Sequence, residues 1–99
     1  MRDSLNFLGL LNRGGLTLVG DTLDKKFSKV KLLILAKDAS VNTKKSLIDK
    51  ANYYNVKFVY IDSAEELGYS LGFNKLSAVG IIDGKAAKRF KEKYEEEVV

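Results

Sequence analysis

Apolar positions along this chain fall into short runs whose spacing switches between helical and extended periods. Leu5, Leu8 and Leu11, with Phe7 flanking, recur at three-residue spacing, and Ser4 stands where a helix cap would. A first helix is therefore predicted from Ser4 to about Asn12, ended by Gly14-Gly15. Leu16–Val19 predicts a short strand, and Asp21–Phe27 a short helix with Leu23 and Phe27 four apart on one face. Lys31–Ala36 differs from these. Its apolar run has no polar alternation, which is the pattern of a central strand covered on both faces.

Lys37–Ser40 predicts the loop at the carboxyl end of that strand, and Ser40 or Asn42 caps a third helix. Leu47, Ile48, Ala51 and Tyr54 fall on the inner face of that helix, and Lys44, Lys45 and Lys50 on its outer face. Val56–Ile61 predicts a strand with one covered and one partly covered face. Ser63-Ala64-Glu65-Glu66 is a capping box opening a helix that ends near Gly72. Leu76–Ile82 predicts another apolar strand, and Gly84–Val98 a last helix with Ala86, Phe90, Tyr94 and Val98 or their neighbours facing inward. Strands alternating with helices imply an α/β domain whose parallel or mixed sheet is covered on both sides.

Composition narrows the chemistry. Ninety-nine residues with 45% hydrophobic content make one compact domain, too short for two. There is no cysteine, which excludes a disulfide framework and a Cys-based zinc or redox site. There is no histidine, so the commonest general base and metal ligand are missing together. No catalytic residue, metal ligand or cofactor is assigned. The longest apolar run, Leu32–Ala36, is far short of a membrane span, and no membrane partner is expected. Arg2 is followed by Asp3, and Asn6 and Asn12 interrupt the first apolar stretch, so no signal peptide is read and a cytoplasmic location is expected.

Charge adds a partner class. The net charge of +4 conceals an asymmetry: residues 1–91 hold 16 Lys/Arg against 9 Asp/Glu, and the acidic end (Glu92, Glu95, Glu96, Glu97) offsets that excess of seven. A basic body suits a polyanion. The last helix is basic at its start and acidic at its end, against the macrodipole preference. Either its end frays or its charges answer to something outside the helix.

Arg13-Gly14-Gly15 and Gly20 bracket the predicted strand Leu16–Val19, and Gly20 would bring bare backbone to the first turn of the next helix. Free N–H donors and partial positive charge at a helix start suit a phosphate, and Lys26 projects one to two turns further on. The site is read as anion- or nucleic-acid-binding, against a plain tight connection. Gly15 and Gly20 have the spacing of a P-loop, but Asp21-Thr22 follow where Lys-Ser or Lys-Thr is required. Nucleotide hydrolysis is not expected.

Several ordered pieces carry a family resemblance: Leu8–Gly15, Gly20 with Lys26 six residues on, Leu32–Ser40, Asn42–Lys45 and Glu66–Gly72, followed by the apolar strand to Ile82. Over residues 5–83 the chain resembles the ribosomal protein L-seven-Ae/L-thirty-e family, most closely its small bacterial YlxQ-like members. The resemblance implies a three-layer α/β/α sandwich around a mixed four-stranded sheet. It also implies a monomeric, non-catalytic protein binding structured RNA at kink-turns, ribosomal RNA included. Kink-turns are sharply bent internal loops with tandem sheared G·A pairs, and single-stranded or unstacked bases are what proteins read in RNA.

By position, the implied RNA contacts are Gly20, Thr22 and Lys26 on the helix entering the groove, and Lys75, Leu76 and Ser77 on a loop covering an extruded nucleotide. Arg13 and Lys37 are added as basic neighbours. Archaeal and eukaryotic relatives have Asn-Glu where this chain has Thr22-Leu23. Asp38 is read as a cap or turn residue and Tyr54 as core. The alternatives are a protein-interaction module on the same scaffold and, weakest, a small enzyme holding a phosphorylated ligand at Gly20.

Overall fold

A five-residue apolar run must be covered on both faces, and the central strand of the computed structural model, which describes residues 3–98, meets that demand. Every residue of β2 (Leu32–Ala36) is buried. Leu32, Ile34 and Ala36 face one core, and Leu33 and Leu35 the other. The remaining strands are β1 (Thr17–Leu18), β3 (Lys57–Ile61) and β4 (Ala78–Ile81). Their order is β1-β4-β2-β3, with β4 antiparallel to both neighbours and β2 parallel to β3. The sheet is mixed and four-stranded, as expected.

Helices α1 (Asp3–Arg13), α4 (Ala64–Ser70) and α5 (Gly84–Val98) cover one face. Leu5, Leu8, Leu11, Leu67 and Phe90 fill that core. Helix α2 (Gly20–Lys25), a 3-10 turn (Phe27–Lys29) and α3 (Val41–Tyr53) cover the other through Leu23, Phe27, Leu47 and Ala51. The result is the expected α/β/α sandwich. Among the described residues, no helix is long and apolar enough to cross a membrane.

Two expected caps are present. The Ser40 side chain accepts the Thr43 amide, and the Ser63 side chain accepts the Glu66 amide. Asp83 also accepts the Ala86 amide at 2.9 Å, opening α5.

Other expectations are corrected. Ser4 is not a boundary residue but lies inside α1, fully buried, with its amide and hydroxyl on the Glu97 carboxylate. The first strand is only two residues long, because its pairing to β4 stops at Leu18↔Gly80. The second helix ends at Lys25, and Phe27 belongs to the following 3-10 turn. Tyr54 is 44% exposed: α3 ends at Tyr53, and the Tyr54 ring caps Phe27 at 5.8 Å rather than entering the core. The inward position expected for the Val98 side chain, and Arg2, lie outside the described residues.

One glycine sets how closely α2 lies on the sheet. A Cβ on Gly80 in β4 would stand 2.7 Å from Leu23 Cδ1 and 2.8 Å from Val30 Cγ2. Bare backbone there lets α2 and the segment after it sit directly on β4.

Candidate nucleic-acid interface

The sheet has two ends, and the strand directions decide which loops meet at each. At one end β1, β2 and β3 finish and β4 begins, so Gly20, Lys37, Asp62 and Ser77 converge there. A cleft of about 510 Å³ opens at this end between the start of α2, the first turns of α3 and the loop before β4. Gly20, Lys75, Leu76 and Ser77 line it, so four of the expected site residues are brought together.

Each wall is held by identifiable contacts. Gly20 opens α2 at φ +57°, in the left-handed region that glycine enters freely, and no atom lies within 4 Å of a Cβ built on it. Val19 at the cap position supplies no side-chain acceptor, so the first amides of α2 have no intrahelical carbonyl and no capping side chain. Across the cleft, the Leu76 amide donates to Ala64 O at 2.9 Å, and Ser77 O accepts the Ala36 amide at 2.9 Å. A Cβ on Gly68 would stand 2.6 Å from Lys75 Cα, so the loop rests on the bare backbone of α4. Leu76 is half-buried, one side packed on the α1/α4/α5 core. Lys75 and Ser77 are exposed.

Thr22 in α2 and Lys26 at its C-terminal cap are both exposed, and the Lys26 amide donates to Thr22 O at 3.0 Å. They flank the cleft without lining it. Lys37 stands at the same end of the sheet with its ammonium 3.5 Å from Asp62. Lys44, on the outer face of α3 as expected, also donates its ammonium to Lys37 O at 2.8 Å, just past the end of β2. Asp38 is a cap, as expected, accepting the Ala64 amide at 2.8 Å. Arg13 is not brought in. It precedes β1 and sits at the opposite end of the sheet, although only seven residues separate it from Gly20.

Asn42, Thr43 and Ser46 of α3 also line the cleft, with Asp21 and Asp24 from α2. None of these five was expected from the sequence to contact RNA. The available signal was the rule that ligands gather beyond the carboxyl ends of strands in open α/β sheets, which points to the start of α3. Lys50 holds Asp24 at 2.9 Å. The cleft thus offers hydroxyls, an amide, carboxylates, one half-buried leucine and free helix-start amides. Such a surface suits base edges and an apolar contact more than a row of phosphates.

Comparison with known proteins gives concordant results. Residues 13–91 match the ribosomal protein L7Ae/L30e/S12e/Gadd45 family. The chain is 36% identical over 92 residues to the RNA-binding protein YlxQ of Enterococcus faecium, covering 90% of this chain and 88% of the relative. It is 37% identical over 79 residues to the RNA-binding protein YlxQ of Bacillus subtilis (strain 168), covering 77% and 79%. A solved Bacillus halodurans protein of unknown function superposes with a TM-score of 0.87 at 26% identity, over 96% of this chain and 99% of that one.

Proposed function

The chain belongs to the ribosomal protein L7Ae/L30e/S12e/Gadd45 family, and from that membership we propose that it is a non-catalytic RNA-binding protein that recognises kink-turns. The observation carrying the proposal is the cleft itself, which sets the exposed start of α2 opposite the half-buried Leu76. In this reading α2 enters the widened groove at the G·A pairs. Gly20 allows close approach of backbone amides, Thr22 and Lys26 reach base edges or the adjacent backbone, and Leu76 covers an extruded base between Lys75 and Ser77. Lys37 contributes a nearby positive charge. The protein acts as a monomer in the cytoplasm, on ribosomal or ribosome-associated RNA.

That two relatives are named RNA-binding proteins supports the reading at the level of RNA. The preference for a bent loop is tested by a gel shift with one kink-turn RNA and a twin whose G·A pairs are replaced. The expected result is binding at least about tenfold tighter to the kink-turn, the scale of one good base contact. Equal binding to both rejects kink-turn recognition, and binding to neither favours a protein partner for the same cleft.

A further inference from the structure

Cations stand at both ends of the sheet, and what differs is their acidic company. At the cleft end, Lys37, Lys75 and, at the start of α3, Lys44 and Lys45 share the strand ends, loops and helix starts with Asp21, Asp38, Asp62 and Glu65, and Lys37 is paired with Asp62. At the other end β1, β2 and β3 begin and β4 finishes. The join is fixed by backbone bonds: Ile82 N–H to Leu16 O at 3.0 Å and Lys31 N–H to Ile81 O at 2.7 Å. Leu32 is in register with both Lys57 and Ile81.

Five exposed cations sit within a few residues of that join: Arg13 before β1, Lys29 and Lys31 before β2, Lys57 opening β3 and Lys85 after β4. Among the described residues none of the five has an acidic partner within ion-pair distance. The one carboxylate on these connections, Asp83, is committed to the Ala86 amide. Uncompensated cations gathered at one end repel each other, and the start of α5 adds Lys88, while Arg89 lies over the Phe7 ring at 5.9 Å.

We propose that this end of the sheet is a second, sequence-independent contact surface for the phosphodiester backbone of duplex RNA. Taken by the strand each adjoins, four of the cations come in the sheet order β1-β4-β2-β3 as Arg13, Lys85, Lys31 and Lys57, with Arg13 at the end of α1 and Lys85 in the first turn of α5. A row of point charges without base-reading groups fits a line of phosphates, where each neutralised phosphate releases counterions. The molecule measures 29 × 27 × 26 Å. RNA held at the cleft therefore reaches the far end only through another stem or a neighbouring helix. The inference rests on RNA being the partner, and it gives Arg13 a place that the cleft does not.

The test compares the wild type, the triple variant Lys31→Gln/Lys57→Gln/Lys85→Gln, and the same three positions changed to Arg, after thermal melts of all three. The probes are a short blunt RNA duplex, a kink-turn RNA with its G·A-disrupted twin, and phosphatidylserine vesicles, each across a salt series. The Gln variant is expected to bind plain duplex at least about tenfold more weakly at low salt. Its log–log salt slope should be flatter by about three, at roughly one per lost contact. The Arg variant should keep wild-type behaviour, and the kink-turn preference should persist in all three proteins. Duplex binding that is absent in the wild type, or equal in the wild type and the Gln variant, overturns the proposal. So does a loss confined to vesicles, which would make the polyanion a lipid surface. A wild type that shows no kink-turn preference overturns the cleft reading instead, while the Gln variant's loss on plain duplex still supports this one.

Discussion

Glu97 in the last turns of α5 accepts the Ser4 amide at 2.8 Å and the Ser4 hydroxyl, joining residues 93 apart in sequence. The first amides of a helix lack intrahelical partners, and a carboxylate beside them is favourable. The acidic end of α5, unfavourable for its own dipole, thus serves the start of α1. Glu97→Ala leaves a buried amide and hydroxyl without their acceptor and is expected to destabilise the fold by about 1–3 kcal/mol. Thermal or urea melts measure this, and an unchanged midpoint contradicts the assigned role.

What could be read from the sequence was what is local. Leu32–Ala36 announced a strand covered on both faces because no polar residue interrupts it. Ser40 and Ser63 announced caps because each bonds an amide three residues on. Ser4 misled because its partner comes from the other end of the chain. Tyr54 misled because helical periodicity continues on paper past Tyr53, where the helix stops. In the site, Lys75, Leu76 and Ser77 were reached through family resemblance. Asn42 and Ser46 were not, because their approach to Gly20 depends on how two helices pack on one face of the sheet. Arg13 was counted among the basic RNA contacts, yet it precedes β1 and Gly20 follows it, so the short strand between them sets the two at opposite ends of the sheet.

Gly68→Ala tests how the loop over the cleft is held. The new Cβ would meet Lys75 backbone atoms at 2.6–2.8 Å, and backbone cannot swing aside as a side chain can. Overpacking of this kind costs about 1–3 kcal/mol. Because the displaced segment is Lys75–Ser77, the variant is expected to lose RNA affinity as well as stability. A variant that melts lower but binds the kink-turn as the wild type does removes this loop from the interface.

Gly20 separates backbone conformation from access. Ala at φ +57° costs about 1–2 kcal/mol, whereas Asn tolerates that region. With open space around the position, Gly20→Asn is expected to keep its stability while placing a side chain in front of the α2 amides. Fluorescence anisotropy should show kink-turn binding weakened at least about tenfold, a loss of one base-contact equivalent. Wild-type affinity in a folded Gly20→Asn protein moves the site elsewhere.

Lys26 is exposed and has no ion pair among the described residues, so Lys26→Ala should change stability by no more than about 0.5 kcal/mol. Kink-turn affinity should fall by about 1–3 kcal/mol if the ammonium reads a guanine. A salt slope flattened by about one, with the loop preference intact, assigns it to a phosphate instead. Unchanged affinity at every salt concentration takes Lys26 out of the interface.

On the proposed reading, a kink-turn binds in the cleft between the start of α2 and the loop before β4. Backbone amide NMR of this 11.0 kDa protein during titration with RNA reports on that site residue by residue. With the kink-turn, the amides of Gly20, Asp21, Thr22, Leu76 and Ser77 should shift together and saturate, and the G·A-disrupted twin should leave them in place at the same concentrations. Cleft amides that stay unmoved with the kink-turn, or that move equally with both RNAs, would contradict kink-turn binding there.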